Sequence, residues 1–537
     1  MKHHFAAAVV VSSLVVGLAS AQNYAGLYQH APDGSAHDHF GAALAIGDSL
    51  GAIGAPDDDV GALVDAGSVR ILQRNPDLNW ALTVQILAPT PQAGARFGTA
   101  VAIEHDRLVV SSPGASIDTL HYFRRQGSGA WIHVQSFSGF APPGEGLGES
   151  LAIRGRTLWA GAPKYAAPLT RPFRLQENGL WAQVAPAMSA INGSQFGRSI
   201  AVDGPLTITG APGQPLTTEL GAGTVYIQEA LDGTSWTFGQ WLTANDLHVG
   251  DAYGWSSAIS GERVLVGAPG ADNGTLADTG AVYVHERQAN GGWMQVAKLQ
   301  PADLAAGARF GTAVALRGNV AVVGAPLDTS SGVSGGGTVQ LFARRWDGVW
   351  ERKGVYGCVL PVTGDRYGAA VALFDGGLIG GAPQREKAGQ AAAGATMLYR
   401  SLAPLPVSYC TSNPNSSGQR ATLSWTGSRD VGLSNFELVA RGAPPSRLGL
   451  FVFGPTQTQT PFGDGVLCVG GLARLSPISG SDAWGKARLT LDMSNPGAAE
   501  HAITAGTTWN FQYWFRDPDS SGAGFGGSDA LSVQFAP

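Results

Sequence analysis

Short apolar runs separated by turn residues fill the chain from about residue 23 to about residue 403. Residues 312–316 (TAVAL) are small and mostly apolar, and a polar turn joins them to a β-branched run at 319–325 (NVAVVGA). A third run at 337–345 (GTVQLFARR) alternates apolar with polar residues, as a half-buried strand does, and a fourth begins near a Trp. No stretch shows sustained helical periodicity. The pattern therefore predicts an all-β protein built from units of four strands.

These runs belong to a phrase that occurs seven times, and each copy opens on an aromatic-Gly pair and closes on Gly-Ala-Pro. The first residue of the phrase and the Gly of Gly-Ala-Pro are 14 positions apart in every copy, for example 40 to 54 and 367 to 381. Leu147 replaces the aromatic residue in the third copy, and Ser111 and Ser112 replace Gly-Ala in the second. The copies start at Phe40, Phe97, Leu147, Phe196, Tyr253, Phe310 and Tyr367.

The spacing of the copies predicts a ring of sheets. Successive phrases start 57, 50, 49, 57, 57 and 57 residues apart, and the shortfall lies after Gly-Ala-Pro in copies two and three, which indicates a surface loop there. Four strands per period, repeated seven times, predict a seven-bladed β-propeller over residues 22–403. Residues 23–39 precede the first phrase as residues 293–309 precede the sixth. We therefore expect the N-terminal segment to supply the outer strand of the last blade and to close the ring.

The recurring aromatic-Gly and Gly-Ala-Pro elements resemble the FG-GAP repeat family, which includes the propeller of integrin alpha chains and many bacterial surface proteins. The resemblance covers about residues 23–403 and implies the same seven-bladed fold. In integrin-like blades an Asp-rich calcium loop lies between the two elements, but here that interval holds only two strands and a tight turn. The calcium sites are therefore not carried over, and no metal or cofactor is expected.

Residues 404–537 lack the repeat and show alternating apolar runs separated by turns, which predicts a small β-sandwich. In the run 509–515 (WNFQYWF), Trp509, Phe511, Tyr513 and Phe515 share one face, which is expected to pack in a core. This region resembles a C-terminal module carried by many large exported bacterial proteins. The resemblance brings no activity, and a role in attachment or sorting is a hypothesis.

The N-terminal 21 residues have a basic start, an apolar run and Ala19-Ser20-Ala21, which resembles a secretory signal peptide. We therefore expect a secreted or cell-surface protein with no membrane insertion after cleavage. Cys410 and Cys468 both lie in the C-terminal region and are predicted to form a disulfide, whereas Cys358 is predicted to be a buried thiol. Only 14% of residues are charged, the net charge is −6 and no basic run occurs, so nucleic acid is not an expected partner.

Charged residues cluster in segments that a propeller places on one face. Arginines directly precede the aromatic-Gly pair in three copies, and Asp residues follow Gly-Ala-Pro in the loops of copies one, five and six. Both segments are expected at the same end of the ring, where the trimmed loops of blades 2 and 3 would leave a notch. The candidate ligand-binding residues are Arg96, Arg309, Arg366, Asp57, Asp58, Asp59, Asp272 and Asp328. The alternatives are that the arginines bridge neighbouring blades and that the acids cap solvated turns.

No catalytic motif is recognisable, since G-x-S-x-G, Walker-type and H-E-x-x-H sequences are missing. The hypothesis is an exported, non-enzymatic recognition or adhesion protein that binds an extracellular protein or polysaccharide through one propeller face. One alternative is an extracellular polysaccharide-active hydrolase or lyase with its site at the channel mouth. Clustered acids with shifted pKa values in one pocket on that face would favour this alternative. Another is a structural component of the cell envelope.

Overall fold

The computed structural model describes residues 24–535 with short gaps. The residues left out are 1–23, 48, 76–79, 115, 139–145, 165–167, 185–187, 192, 216–220, 231–235, 289, 331, 345–347, 359, 375–376, 402–406, 427–428, 430, 432–435, 494–501, 521 and 536–537. The predicted signal segment 1–21 and the predicted boundary at residue 403 lie outside the described residues. The described part of the chain contains strands and no α-helix, which confirms the all-β prediction.

Each copy of the phrase opens a four-stranded antiparallel sheet, which we call a blade and number in chain order. Blade 1 contains Ala43–Ile46, Leu50–Ala55, Ser68–Arg74 and Trp80–Ile86. Blade 2 contains Val101–Glu104, Arg107–Ser112, Thr119–Arg125 and Trp131–Ser138. Blade 3 contains Ser150–Arg154, Thr157–Ala162, Leu169–Leu175 and Trp181–Gln183, with Met188–Ser189 also paired to its third strand.

The remaining blades repeat this order. Blade 4 contains Ser199–Asp203, Leu206–Ala211, Thr224–Ala230 and Trp236–Leu242. Blade 5 contains Ser256–Ser260, Arg263–Ala268, Ala281–Arg287 and Trp293–Leu299. Blade 6 contains Ala313–Arg317, Val320–Ala325, Thr338–Arg344 and Trp350–Gly357. Blade 7 contains Ala370–Phe374, Gly377–Ala382 and Ala395–Ser401, and its outer strand is Tyr24–Gln29.

The N-terminal strand closes the ring, as expected from the sequence. Tyr24–Gln29 pairs antiparallel with Ala395–Ser401, with Tyr24 opposite Ser401. The first strand of each blade contacts the first strands of its two neighbours, and that of blade 7 contacts that of blade 1. Both edges of Ala395–Ser401, the third strand of blade 7, are therefore paired. The described first strands of the blades surround a central channel.

The recurrence of the phrase has a steric cause. The Gly of each Gly-Ala-Pro lies against the backbone of the next aromatic-Gly pair, so that a Cβ on Gly324 would be 1.9 Å from the carbonyl oxygen of Gly368. The same contact seals the ring, because a Cβ on Gly381 would be 2.0 Å from the carbonyl oxygen of Gly41. Side chains do not fit at these positions, so the motif is fixed by the packing of one blade on the next.

Both departures from the phrase meet at one interface. Ser111 of blade 2, which stands where other copies have Gly, lies beside Gly148 of blade 3, the residue after Leu147. The Ser111 hydroxyl accepts a hydrogen bond from the amide of Ala100 at 3.0 Å. The interface between blades 2 and 3 therefore differs from the others on both of its sides at once.

The C-terminal region forms two facing sheets and a hairpin, which confirms the predicted β-sandwich. One sheet has the order Val407–Tyr409, Phe525–Gln534, Thr508–Arg516, Gly449–Gly454 and Ala473–Arg474; the other contains Thr422–Thr426, Glu437–Arg441 and Ala487–Thr490; the hairpin contains Thr456–Phe462 and Gly465–Gly470. Trp509, Phe511, Tyr513 and Phe515 all pack in the core between the sheets, as predicted. We call this region the tail module.

The cysteine predictions are confirmed. Cys410 and Cys468 form a disulfide that ties the start of the tail module to its hairpin. Cys358, directly after the outer strand of blade 6, is a buried free thiol.

Candidate functional site

The two ends of the ring differ in what they carry. One end, the loop face, holds the loops between second and third strands and the connections from each fourth strand to the next blade. The other end, the hairpin face, holds the tight turns between first and second strands. The candidate residues of the sequence analysis follow Gly-Ala-Pro or precede the aromatic-Gly pair, so they belong to the loop face.

The residue before each aromatic-Gly pair is held in a left-handed backbone conformation. Arg96, Arg309 and Arg366 have φ angles of 56°, 58° and 56°. Their amides donate to carbonyl oxygens of the preceding loop, as Arg366 does to Gly335 at 3.0 Å. The backbone thus places each of these side chains at the junction between two blades.

Two of the three arginines bridge neighbouring blades through carboxylates. Arg96 Nη2 lies 3.0 Å from Asp57 Oδ1, and the other oxygen of Asp57 lies 2.7 Å from His39 Nδ1. Arg309 Nη2 lies 3.1 Å from Asp278 Oδ2. Each pair links the loop of one blade to the connection that leads into the next blade. Asp57 accepts from both His39 and Arg96, so its carboxylate is already used within the ring.

Arg366 differs from the other two arginines. Its side chain is exposed, and within the described residues it makes no side-chain hydrogen bond or ion pair. In blade 6 the position that corresponds to Asp278 is Gly335, which offers only its carbonyl oxygen to the Arg366 amide. The Arg366 guanidinium is therefore available to a partner.

The remaining candidate acids support the loops. Asp59 and Asp272 accept the amides of Asp65 and Asp278, each at 2.9 Å, which closes equivalent turns in blades 1 and 5. Asp328 is fully buried and accepts the hydroxyl of Thr338 at 2.7 Å, so it is not on the surface.

Asp58 is also partly buried, next to Ser68 and Gln85. Burial raises the pKa of the Asp58 carboxyl, against the opposing effect of its hydrogen bonds from Ser68 and Gln85. Within the described residues no group of three or more His, Cys, Asp or Glu side chains is arranged to hold a metal ion.

A row of residues that the sequence analysis missed lies at the channel mouth. Arg198 Cζ is 4.2 Å from the centroid of the Trp255 ring, and Arg198 Nη1 is 3.7 Å from Glu149 Oε2. Lys164 forms an ion pair with the same carboxylate. Glu149, Arg198 and Trp255 are each the third residue of their phrase. That position varies from Ala to Trp, whereas the residue before it is always Gly and the residue after it is always Ala or Ser, and this contrast was the available signal.

Trp255 also borders a groove of about 330 Å³ on the loop face, which we call the mouth groove. The wall contains the apolar side chains Pro269, Pro326 and Leu327 together with Arg309 and Arg366. None of the described lining residues is Asp, Glu or His. The groove therefore offers an aromatic ring, apolar surface and an unpaired guanidinium, and it lacks an acid–base pair.

Comparison with known families decides the identity of the repeat. The FG-GAP repeat family matches residues 236–285 and 293–342, which span the strands of blade 5 and most of blade 6, together with the outer strand of blade 4. The chain carries FG-GAP repeats. Comparison with curated protein sequences finds no match.

The solved structures that are similar to this chain are distant from it in sequence. A Lactobacillus plantarum protein is 12% identical with a TM-score of 0.40 and covers 61% of this chain and 86% of its own. The Pseudomonas aeruginosa periplasmic gluconolactonase PpgL is 15% identical with a TM-score of 0.39, covering 60% and 86%. Saccharomyces cerevisiae Sqt1 is 9% identical with a TM-score of 0.38, covering 86% and 97%. At such distances these likenesses do not bear on function.

The tail module covers the hairpin face of the FG-GAP ring. Asn319 in the first turn of blade 6 donates to Thr490 Oγ1 at 2.9 Å, and Arg263 Nη1 of blade 5 lies 3.8 Å from Glu437 Oε1. First-strand turns and the tail residues Trp425 and Val439 together line a polar chamber of about 550 Å³ at this end of the channel. The mouth groove lies at the opposite end, away from the tail module.

Proposed function

We propose that this is an exported recognition protein that binds an extracellular protein or polysaccharide through the mouth groove. The observation that carries the proposal is the exposed, unpaired Arg366 guanidinium beside the apolar wall and Trp255. Aromatic residues and arginines dominate the energetics of recognition surfaces, because they combine large apolar area with directional hydrogen bonding. The proposal therefore assigns Arg366 the role of anchoring an acidic or carbonyl group.

The environment of the groove also supports binding. Arg309, which lines the same groove, is already paired with Asp278, so its geometry is fixed before a partner arrives. Such preorganisation lowers the entropy lost on binding. The described residues that line the groove include no acidic or imidazole side chain that could act as a general acid or base.

Export is supported by the disulfide between Cys410 and Cys468, since such bonds persist in oxidising compartments. No described helix is long and apolar enough to cross a membrane. The signal sequence predicted for residues 1–21 remains part of this proposal.

A binding screen tests the proposed function. The purified full-length secreted chain is applied to glycan arrays and to immobilised bacterial surface extracts, beside the variants Arg366→Ala and Trp255→Ala. Binding should weaken roughly tenfold or more when a charge-assisted contact is removed. Arg124→Ala removes a comparably exposed arginine from blade 2, and its binding should equal that of the parent. An absence of binding on every surface, together with turnover of a substrate, would contradict the proposal.

One observation favours a second candidate, an extracellular polysaccharide-active hydrolase. Burial, followed by repulsion from Asp58 and Asp59, raises the pKa of Asp38 to about 6, and burial also raises that of Asp58. A carboxyl with a raised pKa can serve as a general acid. Reducing-sugar release from a polysaccharide panel, lost in Asp38→Asn and retained in Arg366→Ala, would establish this candidate in place of the first.

A further inference from the structure

A second cavity lies where the tail module meets blades 4 and 5 of the hairpin face. It is a cleft of about 350 Å³, and we call it the interface cleft. Pro205 and Leu206 of blade 4 form one wall, and Trp484, Lys486 and Arg441 of the tail module form the other. Asp203, Arg441 and Arg488 line both the cleft and the chamber at the end of the channel, so the two spaces adjoin.

Trp484 stands out in this wall because it is 67% exposed on a turn closed by hydrogen bonds. One oxygen of Asp482 accepts the amides of Trp484 and Lys486, each at 2.9 Å, and the Gly485 amide donates to the Asp482 carbonyl at 3.1 Å. The turn therefore fixes the backbone from which the exposed indole projects. An exposed aromatic face on such a turn is a platform for a flat apolar surface.

Most charges around the cleft are already matched within the protein. Asp203 accepts the Gly261 amide at 2.6 Å, Arg287 pairs with Glu229 at 2.9 Å, and Arg488 pairs with the buried Glu437 at 3.1 Å. Each of these groups is therefore occupied by a contact that belongs to the fold.

Two cations are not matched in this way. Within the described residues, neither the Arg441 guanidinium nor the Lys486 ammonium makes a hydrogen bond or an ion pair. Burial, and then the neighbouring Arg488 and Arg441, lower the pKa of Lys486 to about 8, so it is charged at neutral pH beside two guanidiniums. Three carboxylates that line the cleft oppose this positive potential in part: exposed Glu262, Asp203, which attracts both Arg441 and Lys486, and Asp482, which attracts Arg441.

We propose that the interface cleft binds the carboxylated sugar unit of an acidic polysaccharide, with Arg441 and Lys486 holding the carboxylate and Trp484 packing on the ring. The volume lies within the range of small-molecule sites and exceeds what an inorganic ion requires. A guanidinium and an ammonium provide charge-assisted hydrogen bonds to a carboxylate, and the C–H face of a pyranose suits the indole. This site is separate from the mouth groove and does not depend on it.

Calorimetric titration of the full chain tests the proposal with three probes: trigalacturonate, the neutral trisaccharide maltotriose, and sodium sulfate. Trigalacturonate should bind, and maltotriose should not. Affinity for trigalacturonate should fall at least tenfold in Trp484→Ala and in Lys486→Met, because each removes one of the two kinds of contact. Arg441→Gln provides a second cationic variant if Lys486→Met alters the thermal unfolding temperature.

Matched controls separate this cleft from other surfaces. Trp241→Ala removes a Trp that is 54% exposed on the outer strand of blade 4, and it should leave trigalacturonate affinity unchanged. Arg366→Ala should also leave it unchanged while weakening partners of the mouth groove. The proposal is overturned if trigalacturonate does not bind, if maltotriose binds equally well, or if Trp484→Ala has no effect and sulfate competes fully.

Discussion

The FG-GAP ring and the tail module are both all-β, but they are held together differently. In the ring, apolar clusters lie between neighbouring blades, as where Leu265 of blade 5 packs with Phe310 of blade 6, and every junction except that between blades 2 and 3 includes a close backbone contact at the Gly of Gly-Ala-Pro. The tail module has one large core between its sheets, which includes Phe436, Phe451 and Phe511, together with a small cluster around Cys468 and a disulfide. The ring thus distributes its stability over repeated junctions, whereas the tail module concentrates most of it in one large core and one covalent link.

The largest expected effect comes from a side chain at a blade junction. Gly324→Ala places a Cβ 1.9 Å from the Gly368 carbonyl oxygen, so blades 6 and 7 must separate. We expect the free energy of unfolding of the ring to fall by roughly 3 kcal/mol or more. Regional hydrogen exchange should show the loss in the blades and not in the tail module. Gly127→Ala is the matched control, since its new Cβ would meet nothing within 4 Å. Equal stability of both variants would contradict the proposed seal.

Loss of the disulfide should destabilise the tail module. Replacing Cys410 and Cys468 by Ser opens a link between residues 58 positions apart, and we expect the tail module to lose about 2–4 kcal/mol. Chemical denaturation followed by hydrogen exchange in tail peptides measures this. Cys358→Ala, which removes the buried thiol of the ring, should leave the tail module unchanged. A loss in the ring of similar size would show that the two regions unfold together.

Acidification should lower the free energy of unfolding of the ring and raise that of the tail module. Burial lowers the pKa of His121 and of His285 to about 4, so the unfolded chain takes up protons first as the pH falls below 6.5 and the ring loses stability. The loss at pH 5 should be roughly 1–2 kcal/mol for each histidine, partly offset by Asp38, whose pKa is raised. Burial raises the pKa of Asp529 to about 6, so the folded tail module takes up its proton first and gains stability between pH 7 and 4.

Exchange rates of ring and tail peptides at pH 7 and pH 5, corrected for intrinsic rates, measure this difference. Asp529→Asn should abolish the gain in the tail module, and His285→Asn should reduce the loss in the ring. Parallel responses of both regions would contradict the assignment.

The smallest effect concerns a side-chain link between blades. Gln240 of blade 4 donates to the Trp293 carbonyl at 3.0 Å and accepts the Trp293 amide at 2.8 Å. Gln240→Leu should cost about 1 kcal/mol, because it leaves both backbone groups of blade 5 without this partner. Thermal unfolding measures the change, and exposed Gln92→Leu on the loop face is the control. A shift no larger than that of the control would assign the link no role in stability.

The sequence allowed the ring to be predicted because its period fixes strand order, loop position and closure together. It could not place the tail module on the hairpin face, because that contact depends on single polar pairs such as Asn319 with Thr490. The loop-face arginines were located correctly by spacing. Their different pairing was not foreseen, although the sequence carries its cause: Gly335 stands in the loop before Arg366 where Asp278 stands in the loop before Arg309.

The pairing of Tyr24–Gln29 with Ala395–Ser401 also sets an order of assembly. Synthesis from the N-terminus produces this strand long before the strand that pairs with it, so six blades can form while the seventh stays incomplete. During that interval Tyr24–Gln29 has no partner strand, and its free edge is open to pairing with other chains. The yield of native protein should therefore depend on how quickly the two distant segments meet.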